Sequence, residues 1–216
     1  MSTQNSLFRK KQLNEQFFEH GYVVFELLNE QELLALEQLL DNWYHQLTFY
    51  NGLHLSMEML VHQERKAVAE AIRSAVEPAL HRIFEQYQSF QGSFILKQPA
   101  HADNQIDLHQ DWSFVNTDAG YTSGTLWIAL ADVDGAAGGI RLVPGSHKHF
   151  NNERFTPISQ CPSPLEGQKE TFAVLAQNIE VKRGEALLWD HRLVHGSVAN
   201  SGKHLRKTLS VGIVNG

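Results

Sequence analysis

The residues with the clearest chemical potential form two short motifs in the C-terminal half of the chain. His109 and Asp111 stand two positions apart, and His195 comes later, with Arg206 eleven positions after it. Two imidazoles and one carboxylate can occupy one face of an Fe(II) ion and leave open positions for a co-substrate and O₂. An arginine downstream can bind the carboxylate of an oxo-acid co-substrate through paired hydrogen bonds. The pattern therefore predicts an iron site with an anion-binding arginine beside it.

Each half of this pattern has a competitor in the chain. A second His-x-Asp motif stands at residues 101–103, and His191 competes with His195 for the role of the third ligand. A single His-x-Asp motif is most often a pair of polar surface residues. In a strand, residues two apart face the same side, so the histidine and aspartate of residues 109–111 would point together. The glycine and β-forming residues around His191 disfavour the helix that an HxxxH metal pair needs.

Bulk composition narrows the class of protein only slightly. The chain has 216 residues, enough for one domain with a sizeable core, and 42% of them are hydrophobic. A net charge of -6 disfavours a nucleic-acid partner, which needs clustered Lys and Arg. Cys161 is the single cysteine, which excludes an internal disulfide and a cysteine-rich metal site. No apolar run approaches membrane-spanning length and the N-terminus lacks signal-peptide features, so we expect a cytoplasmic protein without a membrane partner.

The pattern of elements changes along the chain. Helical periodicity marks 10–20, 29–43 and 64–87, and Pro78 is expected to kink or break the last of these helices. Segments 49–60 and 151–170 are predicted as loops. A β-rich run stands at 22–28. After residue 88, short apolar runs alternate with Gly, Asn and Asp, at 92–97, 124–130, 139–143, 179–181, 186–189 and 208–214.

This order of elements predicts one α+β domain over residues 1–216, mainly β with flanking helices. Residues 1–90 would be mostly helical. Residues 91–216 would form a jelly-roll core, a double-stranded β-helix of the cupin type, with the N-terminal helices packed on one sheet.

Four segments of the chain are similar, in the same order, to the phytanoyl-CoA dioxygenase family of Fe(II)/2-oxoglutarate-dependent oxygenases. They are 17–24, 109–111, 127–148 and 184–206, so the resemblance covers nearly the whole chain. Its most specific parts are the Pro-Gly-Ser-His run at 144–147 and the spacing from His195-Gly-Ser to Arg206.

The resemblance implies that His109, Asp111 and His195 are the iron ligands and that Arg206 binds the distal carboxylate of 2-oxoglutarate. Fe(II), 2-oxoglutarate and O₂ would then be the cofactor and co-substrates. Related halogenases carry a small residue in place of this aspartate, which leaves room for halide on the iron. Because Asp111 is present, the resemblance favours hydroxylation over halogenation.

Other positions receive roles that the resemblance implies less directly. Ser197 matches a position that can add a hydrogen bond to the co-substrate carboxylate. Trp127 matches a position that lines the co-substrate pocket in some members, and Lys97 lies in a matching strand. Trp112 and Phe114 directly follow the aspartate and are candidate substrate contacts, although ordinary packing would explain these aromatic residues equally well.

The main interpretation is a non-haem dioxygenase that hydroxylates a small molecule and releases succinate and CO₂. A second is a cupin-like metalloenzyme that does not use 2-oxoglutarate, and Arg206 at its family spacing argues against it. A third is a non-catalytic ligand-binding barrel, against which the intact set of three ligands argues. The identity of the small-molecule substrate stays open, and the sequence fits a monomer or a homodimer.

Overall fold

The computed structural model describes residues 6–59, 61–111, 120–149, 165 and 167–215. The local sequence explains where its first two helices end and begin. Gly21 ends the first helix at φ 80°, a left-handed conformation that glycine adopts without strain. Asn29 begins the second, because its side chain accepts a hydrogen bond from the backbone N–H of Glu32, and the Glu32 carboxylate accepts one from the N–H of Asn29. The helices are α1 (Lys11–His20), α2 (Glu30–Tyr44), α3 (His62–Ile83) and α4 (Lys169–Leu175).

Ten strands form two antiparallel sheets. They are β1 (Tyr22–Glu26), β2 (Leu53–Leu55), β3 (Gln88–Lys97), β4 (Ile106–His109), β5 (Thr122–Ala129), β6 (Ile140–Leu142), β7 (Gln177–Ile179), β8 (Glu185–Asp190), β9 (His195–Ser197) and β10 (Arg206–Asn215). The larger sheet has the order β1-β8-β5-β10-β3-β2, and the smaller has the order β4-β9-β6-β7. Strands from both halves of the chain therefore build the larger sheet.

The alternation of residues along the central strands separates two cores. On β5, Leu126 and Ile128 belong to the core that the larger sheet shares with the helices, whereas Trp127 belongs to the core that includes residues of the smaller sheet. On β8, Leu188 and Trp189 divide in the same way. Because successive side chains of a strand face opposite sides, one sheet supports both a helical layer and a functional interior. The prediction of a mainly β jelly-roll with helices packed on one sheet is confirmed.

Several local predictions differ from the structure. The loop predicted at 49–60 contains the short strand β2, which pairs with the end of β3. Helix α3 runs through Pro78 without a break. The strand predicted at 179–181 lies slightly earlier, as β7. Most of the loop predicted at 151–170 falls outside the described residues.

The expectation that β4 would carry both His109 and Asp111 is wrong. The strand ends at His109, so Asp111 lies beyond its end and its direction cannot follow from strand alternation. Other contacts, described below, orient this carboxylate. Among the helices of the described residues, none is long and apolar enough to cross a membrane.

Candidate metal centre

The two predicted histidines face each other across neighbouring strands of the smaller sheet. His109 on β4 pairs in register with His195 on β9. Asp111 Oδ1 lies 3.7 Å from His109 Nε2 and 3.6 Å from His195 Nε2. One ligand atom from each of the three residues lies within 4.8 Å of the others, an arrangement that can hold a metal ion. The structure thus brings His195 next to His109 and Asp111, which lie far from it in sequence.

Hydrogen bonds on the far side of each ring leave the correct nitrogen free for a metal. His109 Nδ1 lies 2.8 Å from the Asp107 carbonyl oxygen, and His195 Nδ1 lies 2.9 Å from the Leu193 carbonyl oxygen. A carbonyl only accepts hydrogen bonds, so Nδ1 carries the hydrogen in both rings and Nε2 keeps its lone pair. This second-layer contact is typical of metal-binding histidines.

The carboxylate of Asp111 is oriented by the larger sheet. Thr125 Oγ1 on β5 and Trp189 Nε1 on β8 both donate to Asp111 Oδ2, at 2.6 and 2.8 Å. Since these bonds occupy Oδ2, the other oxygen, Oδ1, is the one directed at the two histidines. The sequence motif did not indicate Thr125 or Trp189, because their contact with Asp111 depends on the packing of one sheet against the other.

The charge states of the cluster suit a divalent cation. Burial acts to raise the pKa of the Asp111 carboxyl, but His195, His109 and the bonds from Thr125 and Trp189 outweigh it, and the pKa is lowered. Burial lowers the pKa of His195 to about 4. At neutral pH the site therefore offers an ionised carboxylate at Asp111 and a neutral imidazole at His195, the forms that bind metal.

Arg206 lies in the same cavity with an incomplete set of partners. It is buried, its guanidinium donates to the carbonyl of Gly138, and its carbon Cζ lies 5.6 Å from the centre of the Trp127 ring. Its Nε is buried and has no hydrogen-bond partner among the described residues. Burial lowers the pKa of Arg206 to about 9. A buried guanidinium with an unpaired donor fits a carboxylate ligand such as that of 2-oxoglutarate.

Lys97 lies directly beside this arginine on the neighbouring strand. The two residues pair in register between β3 and β10. Lys97 Nζ donates to Ser197 Oγ and to the Val198 carbonyl, each at 2.7 Å. Burial and the charge of Arg206 lower the pKa of Lys97 to about 6. Lys97 thus supports the cavity wall from behind Ser197.

One cavity of about 640 Å³ connects the metal cluster with the arginine. Of the residues expected to contact the co-substrate, Trp127, Ser197 and Arg206 line it, and Lys97 does not. In the loop before α3, Met57 also lines it, while His54 borders a separate cavity of about 210 Å³. Gln110, which was given no role, and His191, which was weighed only as a rival ligand, also line the cavity near the cluster. Trp112 and Phe114 lie outside the described residues.

The rival motifs do not join the metal cluster. His191, the competing third ligand, lines the cavity but is absent from the one group of potential ligands found in the described part of the chain. Its Nδ1 contacts Ser123 instead. His101 packs on Gly52 and makes an isolated bridge to Asn200, away from the cluster. Among the described residues, only the His-x-Asp motif at 109–111 lies beside a histidine from a distant segment.

A jelly-roll with two histidines and one carboxylate at the mouth of an internal cavity defines a class of metal-dependent enzyme. The family model for phytanoyl-CoA dioxygenase (PhyH) matches residues 17–208, and the chain belongs to this family. Phytanoyl-CoA dioxygenase 1 of Oryza sativa subsp. japonica is 31% identical over 130 residues, which are 58% of this chain and 44% of the rice protein. Phytanoyl-CoA dioxygenase domain-containing protein 1 of Mus musculus is 30% identical over 126 residues, 56% of this chain and 43% of the mouse protein. The matches span less than half the length of these curated relatives.

Solved structures share the fold at lower sequence identity. The non-haem α-ketoglutarate-dependent carbocyclase SnoK from nogalamycin biosynthesis superposes with a TM-score of 0.66 at 20% identity, covering 95% of this chain and 84% of SnoK. HygX from Streptomyces hygroscopicus, solved with nickel, 2-oxoglutarate and hygromycin B bound, has a TM-score of 0.58 at 13% identity, covering 94% of this chain and 86% of HygX. At these identities the likeness supports the fold.

Proposed function

We propose that this chain is an Fe(II)/2-oxoglutarate-dependent oxygenase that hydroxylates a small molecule. His109, Asp111 and His195 would hold the iron, and Arg206 would bind the distal carboxylate of 2-oxoglutarate, with Ser197 and Trp127 beside it and Lys97 behind Ser197. Iron, when bound, supplies the oxidative chemistry, in which substrate, O₂ and 2-oxoglutarate give hydroxylated substrate, succinate and CO₂. The protein residues supply orientation and charge in the cavity beside the metal site.

The observation that carries this proposal is the combination of two incomplete sites in one cavity. Three ligand atoms are free on one side, at Nε2, Nε2 and Oδ1, because their partner atoms are already bonded. A buried guanidinium with an unpaired Nε lies on the other side. A molecule that chelates a metal at one end and carries a carboxylate at the other fits both, and 2-oxoglutarate is such a molecule.

The two alternatives explain less of the cavity. A cupin-like metalloenzyme without 2-oxoglutarate leaves the buried Arg206 without a carboxylate, at a cost in free energy. A non-catalytic barrel does not need the bonds from Thr125 and Trp189 that orient Asp111.

Several finer points belong to the same proposal. The whole chain, 1–216, would act as one catalytic domain, in the cytoplasm, as a monomer or a homodimer and without a nucleic-acid or membrane partner. The substrate would be a small molecule. HygX was solved with hygromycin B and SnoN with nogalamycin RO, which supports a small-molecule substrate in this fold. A cavity of about 640 Å³ is in the usual range for such ligands.

The direct test is formation of succinate from 2-oxoglutarate by purified protein with Fe(II), ascorbate and air. We expect slow turnover even without the true substrate, because uncoupled decarboxylation accompanies this chemistry. Turnover should require both Fe(II) and O₂, and a chelator should stop it. If the protein binds Fe(II) but forms no succinate with any member of a broad panel of candidate substrates, the cupin-like alternative would be favoured.

A further inference from the structure

The cavity wall next to Asp111 contains a buried acceptor that bonds to nothing in the described part of the chain. Gln110 Nε2 donates to the carbonyl of Arg192. This bond fixes the amide, since the reverse orientation would bring two oxygens together. Oε1 of Gln110 is then buried without a hydrogen-bond partner among the residues described. Such an atom is costly in the free protein and is satisfied when a ligand brings a donor.

His191 presents a second free position to the same cavity. Its Nδ1 lies 2.7 Å from Ser123 Oγ and 2.9 Å from the Ser123 carbonyl. The carbonyl accepts, so Nδ1 carries the hydrogen, and in this tautomer Nε2 is an acceptor. The residue is only 4% exposed and its side chain lines the cavity. Within the described ranges, Nε2 has no hydrogen-bond partner.

These two acceptors lie at one end of the cavity. Gln110 reaches the carbonyl of Arg192, the residue that follows His191. Ser123, which holds the His191 ring, stands two positions before Thr125, which holds Asp111. Both acceptors therefore border the metal cluster near the start of β5 and the end of β8. The unpaired Nε of Arg206 belongs to a different part of the cavity wall, on β10. This end is free of the residues that we assign to 2-oxoglutarate.

The neighbouring wall has the opposite character. Leu55, Met57, Phe90 and Ile95 line the cavity with apolar surface, and Glu58 and Gln91 are the polar lining residues of the same two segments. Phe90 lies over Gly212, where a Cβ would meet the ring at 2.4 Å, so the absence of a side chain at that position lets the ring lie close to β10. A ligand that fills this space would place a carbon skeleton on the apolar wall and its polar edge against the two acceptors.

We propose that Gln110 Oε1 and His191 Nε2 form a substrate subsite that selects hydrogen-bond donors. The substrate is then a compact molecule with an apolar face and hydroxyl or amine groups near the carbon that is oxidised. This inference rests on the proposed function in one respect, that the cavity is the active site. It adds the class of substrate and two residues that determine specificity.

The test uses binding rather than turnover, with probes that share a cyclohexane ring and differ in their hydrogen-bond donors. The protein is loaded with Zn(II), which supports no oxidation, and with 2-oxoglutarate. Ligand-observed NMR then compares vicinal cyclohexanediol and aminocyclohexanol with dimethoxycyclohexane, which keeps acceptors but has no donor. We expect the donor-bearing probes to bind about tenfold more tightly, because an acceptor-only probe leaves the buried Gln110 Oε1 unpaired.

A set of variants tests the contributions of the two ring nitrogens of His191 separately. His191→Asn keeps a donor where Nδ1 bonds to Ser123 but removes the atom at Nε2, and it should reduce the preference to the part that Gln110 Oε1 supplies. His191→Gln places an amide near the Nε2 position and should restore part of it. His54→Asn is the matched control, because His54 is also buried, bonds through Nδ1 to the Thr48 carbonyl and has an unpaired Nε2, but it borders the separate cavity.

The outcomes are distinguishable from failure of the proposed function. Equal binding of donor and acceptor-only probes, binding of neither, or a preference that is undiminished in His191→Asn contradicts the subsite. If His191→Asn does not fold, the comparison of probes on wild-type protein and on His191→Gln decides. A donor preference in a protein that forms no succinate would contradict the oxygenase assignment and leave the subsite standing.

Discussion

At the scale of single residues, the site is defined by the atoms that remain free after all internal bonds are made. In His109 and His195, the carbonyl contacts of Nδ1 leave Nε2 available. In Asp111, the bonds to Oδ2 leave Oδ1 available. The charge of a divalent cation would in turn stabilise the ionised carboxylate. Three free atoms on one side are what an octahedral metal with open positions requires.

Loss of the carboxylate should abolish activity. We expect Asp111→Ala to weaken metal binding strongly and to eliminate Fe(II)-dependent succinate formation, because the two imidazoles would then lack their anionic partner. Metal titration and the succinate assay check this. Asp103→Ala, in the second His-x-Asp motif, is the matched control and should leave both properties unchanged. Full turnover in Asp111→Ala would show that the ligand set is wrong.

Loss of the guanidinium should act on the co-substrate. Arg206→Ala is expected to raise the KM for 2-oxoglutarate about tenfold or more, since a buried carboxylate would lose a charged hydrogen-bond partner. Steady-state kinetics with varied 2-oxoglutarate measures the change. Lys207→Ala alters the adjacent position of β10, on the opposite face of the strand, and should leave this KM near the wild-type value. An unchanged KM in Arg206→Ala would remove the arginine from the co-substrate site.

Lys97 should make co-substrate binding depend on pH. Burial and Arg206 lower its pKa to about 6, so Lys97 is mostly neutral at neutral pH before 2-oxoglutarate binds. A bound carboxylate favours the ammonium form and raises this pKa, so binding takes up as much as about one proton, and affinity falls as pH rises above about 6.

Calorimetry of metal-loaded protein in two buffers with different ionisation enthalpies measures this uptake directly. The proton uptake should disappear in Lys97→Met, which replaces the aliphatic part of the side chain without the amine. Equal uptake in wild type and Lys97→Met would assign the proton to another group.

At the scale of elements, the metal cluster depends on contact between the two sheets. β4 and β9 supply the histidines, but β5 and β8 of the larger sheet orient the aspartate through Thr125 and Trp189. Asp111 lies past the end of β4, so strand pairing does not determine the direction of its side chain. The hydrogen bond from Gln110 to the Arg192 carbonyl is a further link between the segment that carries His109 and Asp111 and the segment that carries His195.

The contact between sheets can be tested apart from the ligands themselves. Trp189→Phe removes the indole N–H that donates to Asp111 while it keeps an aromatic ring in the core. We expect metal affinity to fall by about 10–100-fold, the usual effect of removing a partner of a metal ligand. Competition with a chromophoric chelator gives the affinity. Trp43→Phe on α2 is the control, and an unaltered affinity in Trp189→Phe would contradict this role.

These elements also show what can be predicted from sequence. Hydrophobic periodicity and caps located three helices and most of the longer strands, because those signals are local. The strands β2, β4 and β9 are three or four residues long, too short for alternation to be visible. The roles of Gln110, Thr125, Trp189 and His191 were missed, because each depends on contacts between segments distant in sequence.

At the scale of the whole molecule, the helical layer stabilises the sheet that carries the site. Helices α2 and α3 share one continuous core with the outer face of the larger sheet, including Leu36, Ile72 and Leu126. The opposite face of the same strands carries Trp127 and Trp189 into the cavity. Along the same strands, alternate residues thus contribute to the stability of the core and to the cavity. Changes in the helical layer should therefore lower the free energy of unfolding more than they alter substrate specificity.

Two leucines of α2 separate these effects. Leu36 is 0% exposed, whereas Leu34 is 54% exposed, although the two leucines lie only two positions apart on the same helix. Leu36→Ala should lower the free energy of unfolding by about 2–5 kcal/mol, and Leu34→Ala by at most about 0.5 kcal/mol. Urea denaturation measures both. Similar losses for the two variants would contradict the packing of α2 on the sheet.

The most direct test of the central claim is a crystal structure determined without oxygen in the presence of Fe(II) and 2-oxoglutarate. We predict iron bound to His109 Nε2, Asp111 Oδ1 and His195 Nε2, with the distal carboxylate of 2-oxoglutarate paired with Arg206. Anomalous scattering at the iron edge identifies the metal position. Iron bound through His191 or His54 instead, or a 2-oxoglutarate carboxylate that does not contact Arg206, would contradict the account.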